Sequence, residues 1–383
     1  MKTLLLLLAI LVSIKALAQP TDQYAAFSAQ KKSILLSTGI TMKYIDTGKA
    51  NGTPVIFLHG ITDTGRSFQT TIEELKKINN QLRIIVPDLR GHGGTSLPDK
   101  NKCAGAPENC LNPADFALDI IALMDQKQIA KAHFVGHSMG SIISQELALK
   151  YPDRVSSLVL IGTFVNGKES RAIHEFLQAG IIDGKFKPVL AKRPNFSWPK
   201  DAYTLTARDL GPEVTNFLKE NWVTEIATNP AYLAAIYPET IDVPLGTWIG
   251  MVKALGKMDN REALANLKAP TLVLHASQDM MILQSDQEHI KSALTQAAKN
   301  NGTTNFFKMY GKIPLPASGI QENDLGHNLQ WAVPQQIAAD VAAFIKNGSP
   351  VANLTYVNPQ NTKQVLTDEN QSNIIIFRQE SKF

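Results

Sequence analysis

The sequence predicts an α/β fold: a mainly parallel sheet flanked by helices and interrupted once by a helical insertion. Three observations carry this prediction. Short apolar runs, each too brief for a helix, alternate with segments of helical period, a pattern that feeds parallel strands covered on both faces. One long stretch, from about Val165 to Asn260, lacks any such run and carries helical patches instead. Finally, one glycine-flanked turn lies between a strand-like run and a helix-like one, at Gly136 to Gly140.

Taken in order, the chain opens with Met1-Lys2-Thr3, an apolar run from Leu4 to Val12, and the small-x-small triplet Ala16-Leu17-Ala18. This is the pattern of a cleavable secretory leader, residues 1–18. The apolar run is broken by Ser13 and Lys15, well short of the roughly 20 residues that span a bilayer, so no stable membrane span is expected and the mature chain is secreted or periplasmic. Ile34-Leu35-Leu36 and Thr41 to Ile45, joined at Thr38-Gly39, read as an antiparallel hairpin at a sheet edge. Val55 to Leu58, Ile84 to Val86, His133 to Val135, Leu158 to Ile161 and Leu272 to Leu274 read as buried strands. Helical periods lie between most of them, at Phe68 to Ile78, Ala114 to Met124 and along Ile142, Ile143, Leu147 and Leu149. A helix around Gln287 to Ala298, a strand around Asn305 to Met309 and an amphipathic helix from about Pro334 to Lys346 complete the sheet domain. The expected organisation is therefore a core in two parts, residues 19–164 and 261–347, a helical insertion over 165–260, and a polar tail over 348–383 with one added strand at Ile374 to Phe377.

Composition excludes several classes of function. At 383 residues, 44% hydrophobic and 19% charged, the chain is that of a globular protein. Its formal charge of +4 falls to +2 once Lys2 and Lys15 leave with the leader, too little to attract a polyanion, so no nucleic-acid partner is expected. Cys103 and Cys110 are the only cysteines, with Gly105 and Pro107 between them. In an oxidising compartment they suggest a disulfide, and no His or Cys follows at metal-ligand spacing, so neither a metal nor a cofactor is expected.

The chemistry centres on Gly136-His137-Ser138-Met139-Gly140. A strand followed by this pentapeptide and a helix is a nucleophile elbow, in which a strained turn lifts the serine hydroxyl over a helix N-terminus. A serine needs a general base, and the base an orienting acid. His327, in a polar loop before the last helix, is the expected base. Asp279, just past the strand at Leu272 to Leu274, is the expected acid; Asp286 and Asp324 are its rivals, the first inside a predicted helix and the second only three residues from the histidine. An oxyanion needs two donors, expected from the backbone N–H groups of Met139 and of Ile61, in the turn after the strand at Val55 to Leu58. His133 and His137 are expected to be packing residues.

Leu58-His59-Gly60, Asp88-Leu89-Arg90-Gly91-His92-Gly93, the elbow, Asp279 and His327 together resemble the α/β-hydrolase superfamily, over roughly Ile34 to Lys346. The resemblance implies a capped serine hydrolase, in which the insertion covers the pocket and the segment like Asp88 to Ser96 is structural, leaving His92 without a catalytic role. The Cys103 to Cys110 excursion, the segment Gly311 to Asn323 and the tail depart from the family pattern. A serine nucleophile argues against epoxide opening and halide displacement and favours acyl transfer to water, with a carboxylic ester as the expected bond. The insertion balances 11 Lys and Arg against 11 Asp and Glu, and its aromatics suit either an apolar small-molecule substrate or a helix core. Carbon–carbon bond hydrolysis, cofactor-free haloperoxidation and a non-catalytic ligand-binding role are the competing expectations.

Overall fold

A computed structural model describes residues 21–225, 227–310, 325–351, 362–368 and 374–381. The expected leader lies outside these residues, as do Asp324 and the segment Gly311 to Asn323.

The α/β prediction holds. Among the described residues, ten strands form one sheet: β1 (Lys32–Leu35), β2 (Thr41–Gly48), β3 (Thr53–Leu58), β4 (Leu82–Pro87), β5 (Ala132–His137), β6 (Val155–Ile161), β7 (Thr271–Ala276), β8 (Asn305–Tyr310), β9 (Thr362–Asp368) and β10 (Ile374–Ser381). Their order is β1-β2-β4-β3-β5-β6-β7-β8-β10-β9. From β4 through β10 every neighbouring pair is parallel. The antiparallel pairings lie at the ends of the sheet: β1 with β2, β2 with β4, and β9 with β10.

Alternation along each strand splits the core between the two faces. Val55 and Phe57 point to the side covered by helices Gln69–Ile78 and Pro334–Asn347, where Ile72, Leu75, Ile337 and Phe344 meet them. Ile56 and Leu58 point to the other side, against Ile120, Ile142 and Ile290 from helices Pro113–Gln126, Met139–Lys150 and Gln284–Asn301. The central strands read as unbroken apolar runs because both faces are buried.

Two features differ from expectation. The tail contributes two strands, not one: β10 extends the parallel sheet beside β8, and β9 pairs back onto it. A second strand satisfies the N–H and C=O groups that β10 would otherwise leave along an open edge, but its polar composition conceals it in the sequence. A helix, Thr21–Ala29, also precedes the hairpin.

Between β6 and β7 the regular elements are helical, including a wide π-type helix, Ala172–Phe186, and helices Pro212–Asn221, Pro230–Ile241 and Leu245–Leu255. Of the insertion's aromatics, Phe186, Tyr232 and Trp248 are buried core residues, whereas Phe176 is 38% exposed. Cys103 and Cys110 form a disulfide with Cα atoms 5.8 Å apart, an ordinary span for such a bridge. No helix among the described residues is long and apolar enough to cross a membrane.

Candidate active site

The ends of β3, β5, β6 and β7 and the loop before residue 334 converge at the C-terminal edge of the sheet, where ligands of open α/β sheets bind. At the end of β5, Ser138 adopts φ +49°, ψ −119° and caps the helix Met139–Lys150. A positive φ is costly for a residue with a Cβ and persists only where the surroundings impose it. Here the Ser138 N–H is held by the Ile161 carbonyl at 2.9 Å, and the helix start lies so close to β3 that a Cβ on Gly140 would sit 1.9 Å from the Leu58 oxygen. The elbow therefore has no room to relax into a regular turn. The N–H of Met139 lies in the first turn of this helix, where backbone donors have no partner within the helix.

Asp279 and His327 are brought together from different loops. His327 Nδ1 donates to Asp279 Oδ2 at 2.9 Å, leaving Nε2 as the basic nitrogen. The other carboxylate oxygen, Oδ1, accepts the N–H groups of Met281 and Ile282, both at 2.9 Å. Burial alone would raise the Asp279 pKa, but the His327 imidazole and these two N–H groups together hold it below the ordinary carboxylate value. Burial would likewise lower the His327 pKa; the charge and hydrogen bond of Asp279 outweigh it, assisted by Glu225 and Asp63, and the net shift is upward. Asp286, a rival acid by sequence, spends its carboxylate on the Leu283 N–H at 2.9 Å, at the start of the helix Gln284–Asn301.

Ser138 and His327 line one cavity of about 580 Å³, together with Ile61, His137, Phe176, Trp222, Met280 and Trp331 among others. Ile61 belongs to a loop fixed from two sides by histidines. The His92 Nε2 lies 2.7 Å from the Ile61 carbonyl. His59 donates from Nδ1 to the Gly60 carbonyl at 2.8 Å and accepts the Leu89 N–H on Nε2 at 3.0 Å. Burial, with His92 beside it, pushes the His59 pKa down to about 3. That ring stays neutral and serves as a backbone clamp. His92 likewise acts on loop geometry, consistent with the structural part expected of its segment.

Four positions in the site carry signals that the sequence reading did not use. Glu225, from the insertion, accepts the N–H groups of Gly326 and Asn328 at 3.1 Å each, clasping the backbone on both sides of His327. His137 is more than the packing residue expected: its Nε2 donates to the His327 carbonyl at 3.0 Å. Gly162, at φ +54°, packs against the His327 ring, and a Cβ there would lie 2.9 Å from its Cε1. Trp222 stacks on Phe176 with centroids 5.8 Å apart and donates to Thr62 Oγ1 at 2.7 Å, tying the insertion to the Ile61 loop. His133, half-buried in β5, sets its ring against Ser157 Oγ of the neighbouring strand at 2.7 Å.

The sequence pattern described as the alpha/beta hydrolase fold matches residues 53–302. The chain belongs to the α/β-hydrolase fold family. Among curated proteins it is similar to Lipase 3 of a Moraxella species, 24% identical over 320 residues that cover 82% of this chain and 84% of that one. It is also similar to 3-oxoadipate enol-lactonase 2 of Acinetobacter baylyi, 22% identical over 68% of this chain and 84% of the relative. Among solved structures, a thermophilic esterase from Thermogutta terrifontis superposes with a TM-score of 0.58 at 20% identity, covering 83% of this chain and 98% of the esterase. These α/β-hydrolase likenesses establish the shared fold.

Proposed function

We propose that this family member is an exported serine hydrolase that cleaves a carboxylic ester of an apolar small molecule through an acyl-enzyme. The observation that carries the reading is a strained Ser138 facing the same cavity as an imidazole whose Nδ1 is fixed by a buried carboxylate. In this mechanism His327 Nε2 takes the Ser138 hydroxyl proton as Oγ attacks the ester carbonyl. The oxyanion is held by the N–H groups of Ile61 and Met139. Collapse of the tetrahedral intermediate expels the alcohol, which receives its proton from the His327 imidazolium. Water, deprotonated in turn by His327, then releases the carboxylic acid. Asp279 fixes the tautomer and stabilises the imidazolium.

An apolar substrate is favoured by the lining of Ile61, Phe176, Trp222, Met281 and Trp331. The nearby Arg171 and Glu175 neutralise one another in an exposed pair at 2.8 Å. The leader-like N-terminus and the disulfide support export. Labelling of the purified mature protein with a fluorophosphonate probe tests the mechanism: wild type is expected to label and Ser138→Ala not to. A folded wild type that fails to label, or a Ser138→Ala variant retaining activity within about tenfold of wild type when a loss on the order of a million-fold is expected, would refute it.

A further inference from the structure

Two apolar spaces meet at Ser138, and they differ greatly in size. The large cavity, about 580 Å³, contains His327 in its wall. A second recess, about 20 Å³, is walled by Ser138, Met139, Phe164, Ile173, Leu177 and Leu255 among others. Ile61, Ser138, Ala172, Trp222 and Met281 border both spaces, so the two lie side by side at Ser138. The side chains of Phe164, Ile173, Leu177 and Leu255 are all buried and packed into the main core, which leaves them little freedom to retreat from an incoming group.

Resting on the acyl-enzyme mechanism above, we propose that these spaces divide the ester: the recess takes a short acyl chain of about two or three carbons, and the large cavity takes a bulky apolar alcohol. The assignment follows from where the proton must go. The departing alkoxide is protonated by the imidazolium, so the alcohol leaves on the side of the site that His327 faces. The acyl chain, still bound to Ser138 Oγ with its oxygen at the Ile61 and Met139 N–H groups, extends the other way, toward the recess those same two residues border. A space of about 20 Å³ holds little more than one water-sized group, room for an acetyl methyl or propionyl ethyl group but not for a long chain. Helix Ala172–Phe186 sets this limit through Ile173 and Leu177, making these specificity-determining positions on the acyl side.

The test uses the purified mature protein and two ester series. With the leaving group fixed as p-nitrophenol, kcat/KM is expected to be highest for acetate or propionate and to fall by about tenfold or more by hexanoate, as extra methylenes meet a packed wall. With the acyl group fixed as acetate, kcat/KM is expected to hold or rise from phenyl to 2-naphthyl to 4-biphenylyl esters. Leu177→Ala should raise the hexanoate-to-acetate ratio of kcat/KM by about tenfold, and the milder Ile173→Val should move it in the same direction should the larger truncation fail to fold. A wild type that labels with fluorophosphonate yet peaks at hexanoate or longer, or that loses activity as the alcohol grows, would overturn the division alone. Absence of both labelling and ester turnover would overturn the serine-hydrolase mechanism and the division with it.

Discussion

Glu225 offers the sharpest test of how the insertion supports the site. Its two carboxylate oxygens each hold an N–H, of Gly326 and Asn328, at 3.1 Å. Hydrogen bonds to a charged acceptor contribute about 1.5–3 kcal/mol each, so Glu225→Ala frees the backbone on both sides of His327. A displacement of the imidazole by about 1 Å costs on the order of 100-fold in rate, or about 2.7 kcal/mol of transition-state stabilisation. The expected result is a fall in kcat for p-nitrophenyl acetate of about that size, with KM little changed, because Glu225 positions the base and does not itself react.

Two further readouts separate positioning from mere support. Burial raises the Glu225 pKa above its ordinary 4.5, with Asp279 adding to the effect, against the Gly326 and Asn328 N–H groups that lower it. A folded pKa raised above the unfolded one means that the carboxyl's contribution to stability is fully present below 4.5 and is lost as pH rises through the folded pKa. Glu225→Gln removes the charge but keeps only one acceptor oxygen for the two N–H groups, so kcat should fall, and urea unfolding should show the variant losing less stability relative to wild type at about pH 8 than at about pH 4. Glu225 is also one of the groups that raise the His327 pKa, so the acid limb of kcat/KM should move to lower pH in either variant. Retention of kcat within about threefold in Glu225→Ala, where about 100-fold is expected, together with an unmoved limb, would refute the argument.

In the wild type, the base must be neutral to accept the serine proton, and its pKa is raised above 6.5 by Asp279 against the opposing effect of burial; the acid limb of kcat/KM should accordingly fall above pH 6.5, as a pH–rate profile would show. Asp279→Asn should lower kcat on the order of ten-thousand-fold and shift any residual acid limb downward, whereas a greater loss from Asp324→Asn, measured in the same assay, would overturn the assignment of the acid. Gly162→Ala should put a methyl group against the His327 ring in a left-handed backbone, a conformation costing about 1–2 kcal/mol for a residue with a Cβ, and thermal melts beside kcat should show activity falling further than stability alone explains. Replacing Cys103 and Cys110 by alanine should lower stability by about 2.5 kcal/mol on the chain-entropy model, read from urea unfolding midpoints.

Much of the fold was written locally. The buried strands were legible because parallel strands covered on both faces must be apolar throughout, and their alternation with helical periods left few other arrangements. Ser138 was legible because its elbow needs a small residue where the turn presses on β3, and Gly140 supplies it. His327 and Asp279 were legible as residue types in polar loops after predicted sheet elements.

Contacts between segments far apart in the chain had no such local mark. Asp279 and Asp286 are equally acidic in the sequence; only the folded backbone directs one toward an imidazole and the other to the Leu283 N–H. Glu225 sits 101 positions before Gly326, and His137 reaches across 190 positions to the His327 carbonyl. The sizes of the two spaces at Ser138 depend on how the insertion's helices pack over the sheet. Periodicity and turn chemistry act between neighbours along the chain, so the sequence by itself determined the architecture and the turn that presents Ser138. Hydrogen bonds and packing act through space, so only the tertiary structure decided which partners hold His327 and how much room lies on each side of Ser138.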